Sequence, residues 1–289
     1  MFPRLLGPFL LAAACAAQVP SDMKPNTPPA IPDWVSVESN ISYGQYAENK
    51  LDILRPKEPA AGRRPGVLLI HGGGWTGGTK ESRIEYAGMQ YLKQGFVVAT
   101  VQYRLAGVAP APAAVTDVLN AAAWFRKNAK NYGVDPNRIV VTGDSAGGHL
   151  ALMVGMTPRS AKLGPAAKVA AVVNFYGITQ VDDQLDGPNM RKYAVTWVPE
   201  GPDRFALARR VSPMSYVRRN VPPILTVHGD ADKTVPYEHG ANLTRALDAA
   251  GAPATLHTLG GEGHSVPKAR LDAEYEEIWV FLKRHRILQ

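Results

Sequence analysis

Cysteine is almost absent from this chain, since Cys15 is the only one in 289 residues. A single cysteine excludes an intramolecular disulfide and a cysteine-based metal site. The sequence also lacks the metal-binding pattern HExxH and any close group of histidines and carboxylates, so no metal is expected. The formal net charge is +7, but consecutive basic residues occur only as pairs such as Arg209-Arg210. The basic block that nucleic-acid binding requires is therefore missing.

An apolar run of the ~20 residues that a transmembrane helix requires is missing as well. The N-terminus has the order of an export signal, with a basic end, an apolar stretch over 5–14 and small residues up to Ala17. We therefore predict a signal peptide over 1–17, a flexible leader over 18–36, and a periplasmic or secreted location. Cleavage after Ala17 would remove Cys15.

A second interpretation of the N-terminus is a lipoprotein signal. The segment from Leu11 to Cys15 resembles a bacterial lipobox, in which Cys15 would become the lipidated first residue and a lipid anchor. Ala12 stands where such signals usually have leucine. Both interpretations of the N-terminus stay open from the sequence.

Short apolar runs alternate with longer amphipathic stretches over 37–289. The run GVLLI over 66–70 has the continuous apolar character of a strand buried on both faces. This alternation predicts one α/β domain, with a mostly parallel eight-stranded sheet and helices on both faces. The predicted strands are 51–54 at an edge of the sheet, 66–70, 96–102, 139–142, 169–176, 224–227 and 254–259. The predicted helices are 81–94, 113–131, 149–156, 237–250 and 271–284.

One stretch, 177–220, interrupts the alternation because it has no clear strand. It carries the aromatic residues Tyr193, Trp197 and Phe205 among prolines, glycines and charges. An insertion at this place is expected to form a small cap, and the alternative is a surface excursion.

Ser145 is the candidate nucleophile. It lies in Gly143-Asp144-Ser145-Ala146-Gly147, between an apolar strand and a helix, which is the arrangement of a strand-turn-helix nucleophile motif. The turn must be tight, and the two flanking glycines allow the strand and the helix to approach each other. The N-terminus of the following helix would direct backbone N–H groups at the reacting centre.

A glycine-rich loop, His71-Gly72-Gly73-Gly74-Trp75, follows the strand over 66–70. Its backbone N–H groups, with that of Ala146, are the candidate oxyanion-binding donors, and Gly73 and Gly74 are the preferred ones. The loop also matches the dinucleotide pattern GxGxxG. That pattern requires an acid at the end of the next strand, where this chain has Gln102-Tyr103-Arg104, so dinucleotide binding is not expected.

The remaining catalytic candidates lie in two loops near the C-terminus. His264 follows the last predicted strand and is the preferred base among seven histidines. Asp230 and Asp232 compete as the acid; Asp232 is preferred, and Asp230 is expected to bond to backbone amides in the turn. The chain order Ser, Asp, His is the one expected of an α/β-hydrolase.

The motifs HGGGW, YRL, GDSAGGHLA, SPMSYV, VHGDADKTVP and GEGH together resemble the hormone-sensitive-lipase-like and BD-FAE (feruloyl esterase-like) branch of bacterial serine esterases. The resemblance extends from about Val37 to the end of the chain. It implies an α/β-hydrolase fold and ester hydrolysis without a cofactor. The residues that it implies are Ser145, Asp232 and His264 as the triad, and Gly73, Gly74 and Ala146 as the oxyanion hole.

These patterns predict an exported serine carboxylesterase that acts through an acyl-enzyme. Short-acyl or small aromatic-acid esters are the expected substrates, including acetylated or feruloylated carbohydrates. Trp75 and Trp197 are expected to line the acyl pocket. An amide hydrolase of the same fold, formamidase-like or peptidase-like, would share every catalytic residue. A non-catalytic binding module is the third alternative, and the complete catalytic set argues against it.

Overall fold

An eight-stranded sheet forms the centre of the computed structural model, which describes residues 30–289. The strands are β1 (Val35–Ser42), β2 (Lys50–Pro56), β3 (Arg64–Ile70), β4 (Val97–Val101), β5 (Val134–Asp144), β6 (Ala171–Phe175), β7 (Ile224–Gly229) and β8 (Ala254–Leu259). Their order across the sheet is β1-β2-β4-β3-β5-β6-β7-β8. All neighbours from β4 to β8 are parallel, so the predicted mostly parallel sheet is confirmed.

The predicted signal peptide, most of the predicted leader and Cys15 lie outside the described residues. Within residues 30–289, no helix is both long enough and apolar enough to cross a membrane.

The edge of the sheet is not where the sequence placed it. The predicted edge strand, 51–54, lies within β2, and β2 pairs with β1 on one side and with β4 on the other, antiparallel in both cases. β1, not β2, forms this edge of the sheet, and no sequence pattern predicted it. Its sequence, VSVESNIS, is mostly polar and mostly exposed, so it lacks the apolar run that identifies the central strands.

Seven α-helices lie in the described part of the chain: α1 (Met89–Lys93), α2 (Ala113–Asn128), α3 (Ala146–Met156), α4 (Lys192–Trp197), α5 (Arg204–Arg210), α6 (Glu238–Ala249) and α7 (Leu271–Arg284). α2, α3 and α6 bury apolar side chains in a core on one face of the sheet, whereas α1 and α7 do so on the other. The predicted covering of both faces is confirmed.

The predicted helix over 81–94 is helical over 84–93 in the structure, but only its second half is an α-helix. A single π-helical turn, Ile84–Gly88, precedes the five-residue α1. A π-turn is wider than an α-turn and often occurs at functional sites. Here it places Arg83 and Tyr86 beside the cavity described below.

The stretch 177–220 contains α4, α5 and short 3₁₀ turns, and no strand is assigned in it. It leaves the sheet after β6 and returns at β7. Because β5, β6 and β7 are parallel, the loops that follow them meet at one edge of the sheet, which is where open α/β sheets bind ligands.

Candidate active site

Ser145 lies on the sharp turn between β5 and α3. Its backbone has φ 55° and ψ −120°, a conformation that an L-residue adopts only under constraint. The constraint is the close approach of α3 to β3: a Cβ on Gly147 would collide with the carbonyl oxygens of Ile70 and His71. The strand-turn-helix predicted around Ser145 is therefore present, and Ser145 lines a cavity.

A continuous chain of hydrogen bonds connects the three predicted catalytic side chains. Nε2 of His264 lies 2.8 Å from Oγ of Ser145, and Nδ1 of His264 lies 2.7 Å from Oδ2 of Asp232. These distances allow His264 to accept the serine proton while the carboxylate fixes the imidazole tautomer. The structure thus brings together side chains that are 119 and 32 residues apart in the sequence.

Asp232 is held as a carboxylate by four hydrogen-bond donors. The backbone N–H groups of Thr234 and Val235 donate to Oδ1 over 2.8 and 3.0 Å. Oδ2 faces two imidazoles, those of His264 and His228. Burial alone would raise the pKa of Asp232, but the bonds from His228 and His264 hold that pKa well below its ordinary value. The group is therefore ionised at neutral pH.

Asp230 has a different role in the same turn. Its Oδ1 accepts a 2.6 Å hydrogen bond from the backbone N–H of Gly261, in the loop that carries His264. It contacts neither His264 nor Ser145 through a hydrogen bond in residues 30–289. The contacts match the expectation that Asp230 forms the turn while Asp232 faces the base.

The loop after β3 has the backbone that the candidate oxyanion donors require. Gly73 and Gly74 have φ values of 112° and 58°, which favour glycine. Within the described residues, neither donates its backbone N–H to a protein acceptor. Ala146 is the first residue of α3, so its N–H lacks an intrahelical acceptor. These three groups are available to an oxygen of a bound substrate.

The structure places Trp75 and Trp197 in the core rather than on the cavity wall. Both are fully buried, with their rings stacked at 4.1 Å, and neither is among the residues that line the cavity. Nε1 of Trp75 donates a 3.1 Å hydrogen bond to Nδ1 of His149, while Nε2 of His149 bonds to the carbonyl of Val211. The prediction that the two indoles line the acyl pocket is therefore wrong. Their apolar surface instead packs the loop after β3 against α3 and the insertion.

The cavity at Ser145 has a volume of about 540 Å³. Its walls are largely aromatic and aliphatic, including Tyr86, Phe175, Tyr176, Tyr193, Val266 and Leu271. Tyr193 comes from the insertion and packs so closely on Gly74 that a Cβ there would lie 2.8 Å from its ring. The insertion therefore contributes to the wall, but through Tyr193 rather than Trp197.

Arg83 and Asp144 form an ion pair that sequence reasoning missed. Nε and Nη2 of Arg83 each lie 2.7 Å from one carboxylate oxygen of Asp144, the residue before Ser145. Both residues line the cavity. No local signal predicts this pair, since its members are 61 residues apart and Arg83 was assigned to a regular helix.

Two further pairs of side chains do not belong to the hydrogen-bond chain of Ser145, His264 and Asp232. Arg104 and Asp117 form an ion pair at 2.7 Å, and neither residue lines the cavity. His239 on α6 is buried, and its Nε2 lies 3.1 Å from Oδ2 of Asp183. Residues 30–289 contain no group of three or more metal-binding side chains.

Comparisons with known proteins agree with this architecture. The chain is 32% identical to esterase LipQ of Mycobacterium tuberculosis over 232 residues, which cover 76% of this chain and 54% of LipQ. It is 30% identical to esterase LipC of the same organism over 265 residues, which cover 85% of this chain and 65% of LipC. This chain thus spans about half to two thirds of the length of these curated relatives.

Two solved structures match over nearly their whole length. A truncated carbohydrate esterase from gut microbiota is 28% identical, with a TM-score of 0.78 and coverage of 90% of this chain and 99% of the other. Thermogutta terrifontis esterase 2 phosphorylated by paraoxon is 25% identical, with a TM-score of 0.72 and coverage of 92% and 99%. The family model described as BD-FAE matches residues 51–247, well over half of the chain. This protein therefore has the α/β-hydrolase fold and belongs to the BD-FAE family.

Proposed function

We propose that this protein is a serine carboxylesterase that hydrolyses its substrate through an acyl-enzyme. The observation that carries the proposal is the hydrogen-bond chain from Ser145 through His264 to Asp232, with distances of 2.8 and 2.7 Å. The esterase names of the relatives support the same reaction class.

In the first half of the reaction, Nε2 of His264 takes the proton of Ser145 while Oγ attacks the ester carbonyl carbon. Asp232 stabilises the imidazolium that forms. The backbone N–H groups of Gly73, Gly74 and Ala146 supply the donors for the oxyanion of the tetrahedral intermediate. The intermediate then releases the alcohol, which receives its proton from His264.

In the second half, water replaces the alcohol. His264 removes a proton from the water as its oxygen attacks the acyl carbon, and the same backbone donors face the second oxyanion. Collapse of this intermediate breaks the bond to Oγ of Ser145, releases the acid and returns the proton to the serine. No cofactor is required by any step.

The proposed substrates are esters of short acyl groups or small aromatic acids, including those carried by carbohydrates. The cavity beside Ser145 supports this choice because aromatic rings such as Tyr86, Tyr176 and Tyr193 contribute to its wall. Such rings offer apolar contact to aliphatic and aromatic acids alike. The carbohydrate esterase among the similar structures supports a carbohydrate-linked alcohol.

The test combines a substrate panel with one variant and a matched control. The wild-type protein is assayed with p-nitrophenyl esters, acetylated and feruloylated sugars, and N-formylkynurenine. Ser145→Ala should lower kcat by about 10⁴-fold or more and abolish covalent labelling by paraoxon. Ser36→Ala, which changes a serine on β1 away from the cavity, should leave both unchanged.

Three outcomes would contradict the proposal. Normal turnover by Ser145→Ala would exclude this serine as the nucleophile. Turnover of N-formylkynurenine with none of the esters would favour the amide hydrolase. A folded wild-type protein that neither turns over substrate nor reacts with paraoxon would favour a binding module.

We also propose that the chain is exported, on the evidence of its N-terminal sequence alone. Fractionation of a bacterial host that expresses the full chain should recover it outside the cytoplasm. The mass of the mature protein separates the two interpretations: cleavage after Ala17 gives an unmodified chain, whereas a lipoprotein carries lipid on Cys15 and loses it in Cys15→Ser. Retention of an uncleaved chain in the cytoplasm would overturn both.

A further inference from the structure

His228, the residue before Gly229 at the end of β7, is fully buried beside Asp232. Its Nε2 lies 3.3 Å from Oδ2 of Asp232 and 3.0 Å from the carbonyl oxygen of Val235. Both neighbours are hydrogen-bond acceptors, so Nε2 must carry a proton and donate. The same carboxylate oxygen that faces His264 therefore also faces a second imidazole N–H.

The other ring nitrogen of His228, Nδ1, favours the tautomer that carries its proton on Nε2. Nδ1 is buried and has no hydrogen-bond partner among residues 30–289. It faces α6, where a Cβ on Gly240 would lie 2.9 Å away. A proton on Nδ1 would be buried without an acceptor, which is unfavourable. The geometry thus makes His228 a hydrogen-bond donor to Asp232 through Nε2.

We infer that His228 is a positioning residue for the proposed reaction. It acts on His264 through the carboxylate of Asp232, which both histidines contact. The inference depends on the proposed function. Its N–H withdraws part of the negative charge of Oδ2 from His264 and fixes the plane of the carboxylate. A less negative Oδ2 stabilises the imidazolium of His264 less, so His264 returns more readily to the neutral form that accepts the proton of Ser145.

The surroundings of the three residues contain other titratable groups. Tyr176 lies with its ring 4.7 Å from that of His264, and the ring of Tyr237 lies 5.8 Å from His228. Tyr176 is held neutral, since burial raises its pKa well above the ordinary value. Three charged residues line the cavity: Arg83 and Asp144, which form an ion pair, and Lys268. The test therefore changes the imidazole N–H of His228.

Two substitutions distinguish the effect of the N–H donor of His228 from the effect of the volume of its ring. His228→Leu removes the donor. His228→Gln keeps an amide N–H at about the distance of Nε2 and loses only the unpartnered Nδ1. The acid limb of the kcat/KM–pH profile should move to higher pH by about 0.5–1 unit in His228→Leu, since His264 then faces a more negative carboxylate. In His228→Gln the limb should stay close to that of the wild type.

A purely structural role predicts a different result: both variants would lose thermal stability, and the acid limb would not move in either. An unmoved acid limb in folded His228→Leu overturns the inference. An equal shift of the acid limb in both variants also overturns it, because the effect would then come from the packing of the ring. If His228→Leu does not fold, His228→Asn replaces it, because its shorter amide does not reach Asp232.

An NMR titration of the His264 ring keeps this test independent of turnover. The same ordering of the His264 midpoint, with His228→Leu highest and His228→Gln near the wild type, is expected in the Ser145→Ala background. An inactive wild-type protein would overturn the proposed function, yet the titration would still report the coupling of His228 to His264. An active wild-type protein with identical midpoints in all variants would overturn the role of His228 alone.

Discussion

Arg83 holds Asp144 with two parallel hydrogen bonds of 2.7 Å each, and Asp144 is the residue directly before Ser145. The pair joins the segment before α1 to the end of β5. Its hydrogen bonds raise the pKa of Arg83 further above its already high value. Bidentate pairs of this kind fix orientation as well as distance. The strained serine is thus supported from its N-terminal side by a contact across the cavity wall.

Removal of this support should affect both stability and turnover. Arg83→Met is expected to lower the free energy of unfolding by about 1–3 kcal/mol, because Asp144 loses its partner. We expect kcat to fall about tenfold, as a loss of about 1.4 kcal/mol in transition-state stabilisation would produce. The control is Arg83→Lys, which keeps the charge but not the two parallel bonds and should give an intermediate result. Urea unfolding and ester turnover measure the two effects; unchanged kcat in Arg83→Met would limit the pair to a structural role.

The two aspartates of the turn after β7 provide a matched comparison. Asp232→Asn should lower kcat by about 10⁴-fold, since the imidazole of His264 loses the partner that fixes its tautomer. Asp230→Asn should change kcat little and should reduce stability by about 1 kcal/mol, because only the bond from Gly261 is weakened. Steady-state kinetics and thermal unfolding test both. The opposite ranking in kcat would assign the acid to Asp230.

Two buried histidines should make stability depend on pH in the weakly acidic range. Burial lowers the pKa of both His71 and His149 to about 4. In the unfolded chain their pKa values are about 6.5, so the unfolded state binds more protons between these two values. The stability that the neutral rings contribute is complete above about pH 6.5 and declines toward pH 4, by up to about 1.4 kcal/mol per pH unit for each histidine.

Urea unfolding between pH 7.5 and 4.5 measures this slope. His149→Gln removes one of the two titrating rings, and its amide can still donate to the carbonyl of Val211. The slope should then fall by the contribution of that one ring, up to about 1.4 kcal/mol per pH unit. An equal slope in both proteins would show that His149 does not contribute to the pH dependence.

The dependence of activity on acyl length tests the wall of the cavity. The rate with p-nitrophenyl esters should be highest at about two to six acyl carbons and should fall steeply by about twelve. The rise is expected because each buried methylene contributes about 0.8 kcal/mol. The fall is expected because overpacking of the cavity costs about 1–3 kcal/mol. Leu271→Phe narrows the cavity and should move the maximum of kcat/KM toward acetate. Val280→Phe, an exposed position on the same helix, is the control. A maximum at the longest chains would contradict the short-acyl proposal.

Local patterns were sufficient to predict the positions of Ser145, Asp232 and His264. Each lies in a turn or loop that follows a parallel strand, and glycines mark all three of these segments in the sequence. Since parallel strands end at one edge, three local predictions together imply one site.

Features that depend on packing between distant segments were not predictable in this way. The apolar character of Trp75 and Trp197 indicates burial as well as it indicates a binding wall, and only the fold shows that the two rings stack on each other. The polar edge strand β1 is defined by its pairing with β2 rather than by its own pattern. The hydrogen bond from His228 to Asp232 requires the tautomer with a proton on Nε2, which the carbonyl of Val235 favours. No sequence motif predicts this tautomer.

Part of the cavity wall comes from segments other than those that carry the nucleophile and the stacked tryptophans. Tyr86, Val266 and Leu271 line the cavity, whereas the stack of Trp75 and Trp197 anchors the frame that holds the nucleophile without reaching the cavity. In evolutionary terms, substrate range can therefore diverge through substitutions at the wall while the frame stays constant. A mutational library restricted to these three wall positions should yield many folded variants with altered selectivity, and one at the two tryptophans should mostly yield unfolded protein.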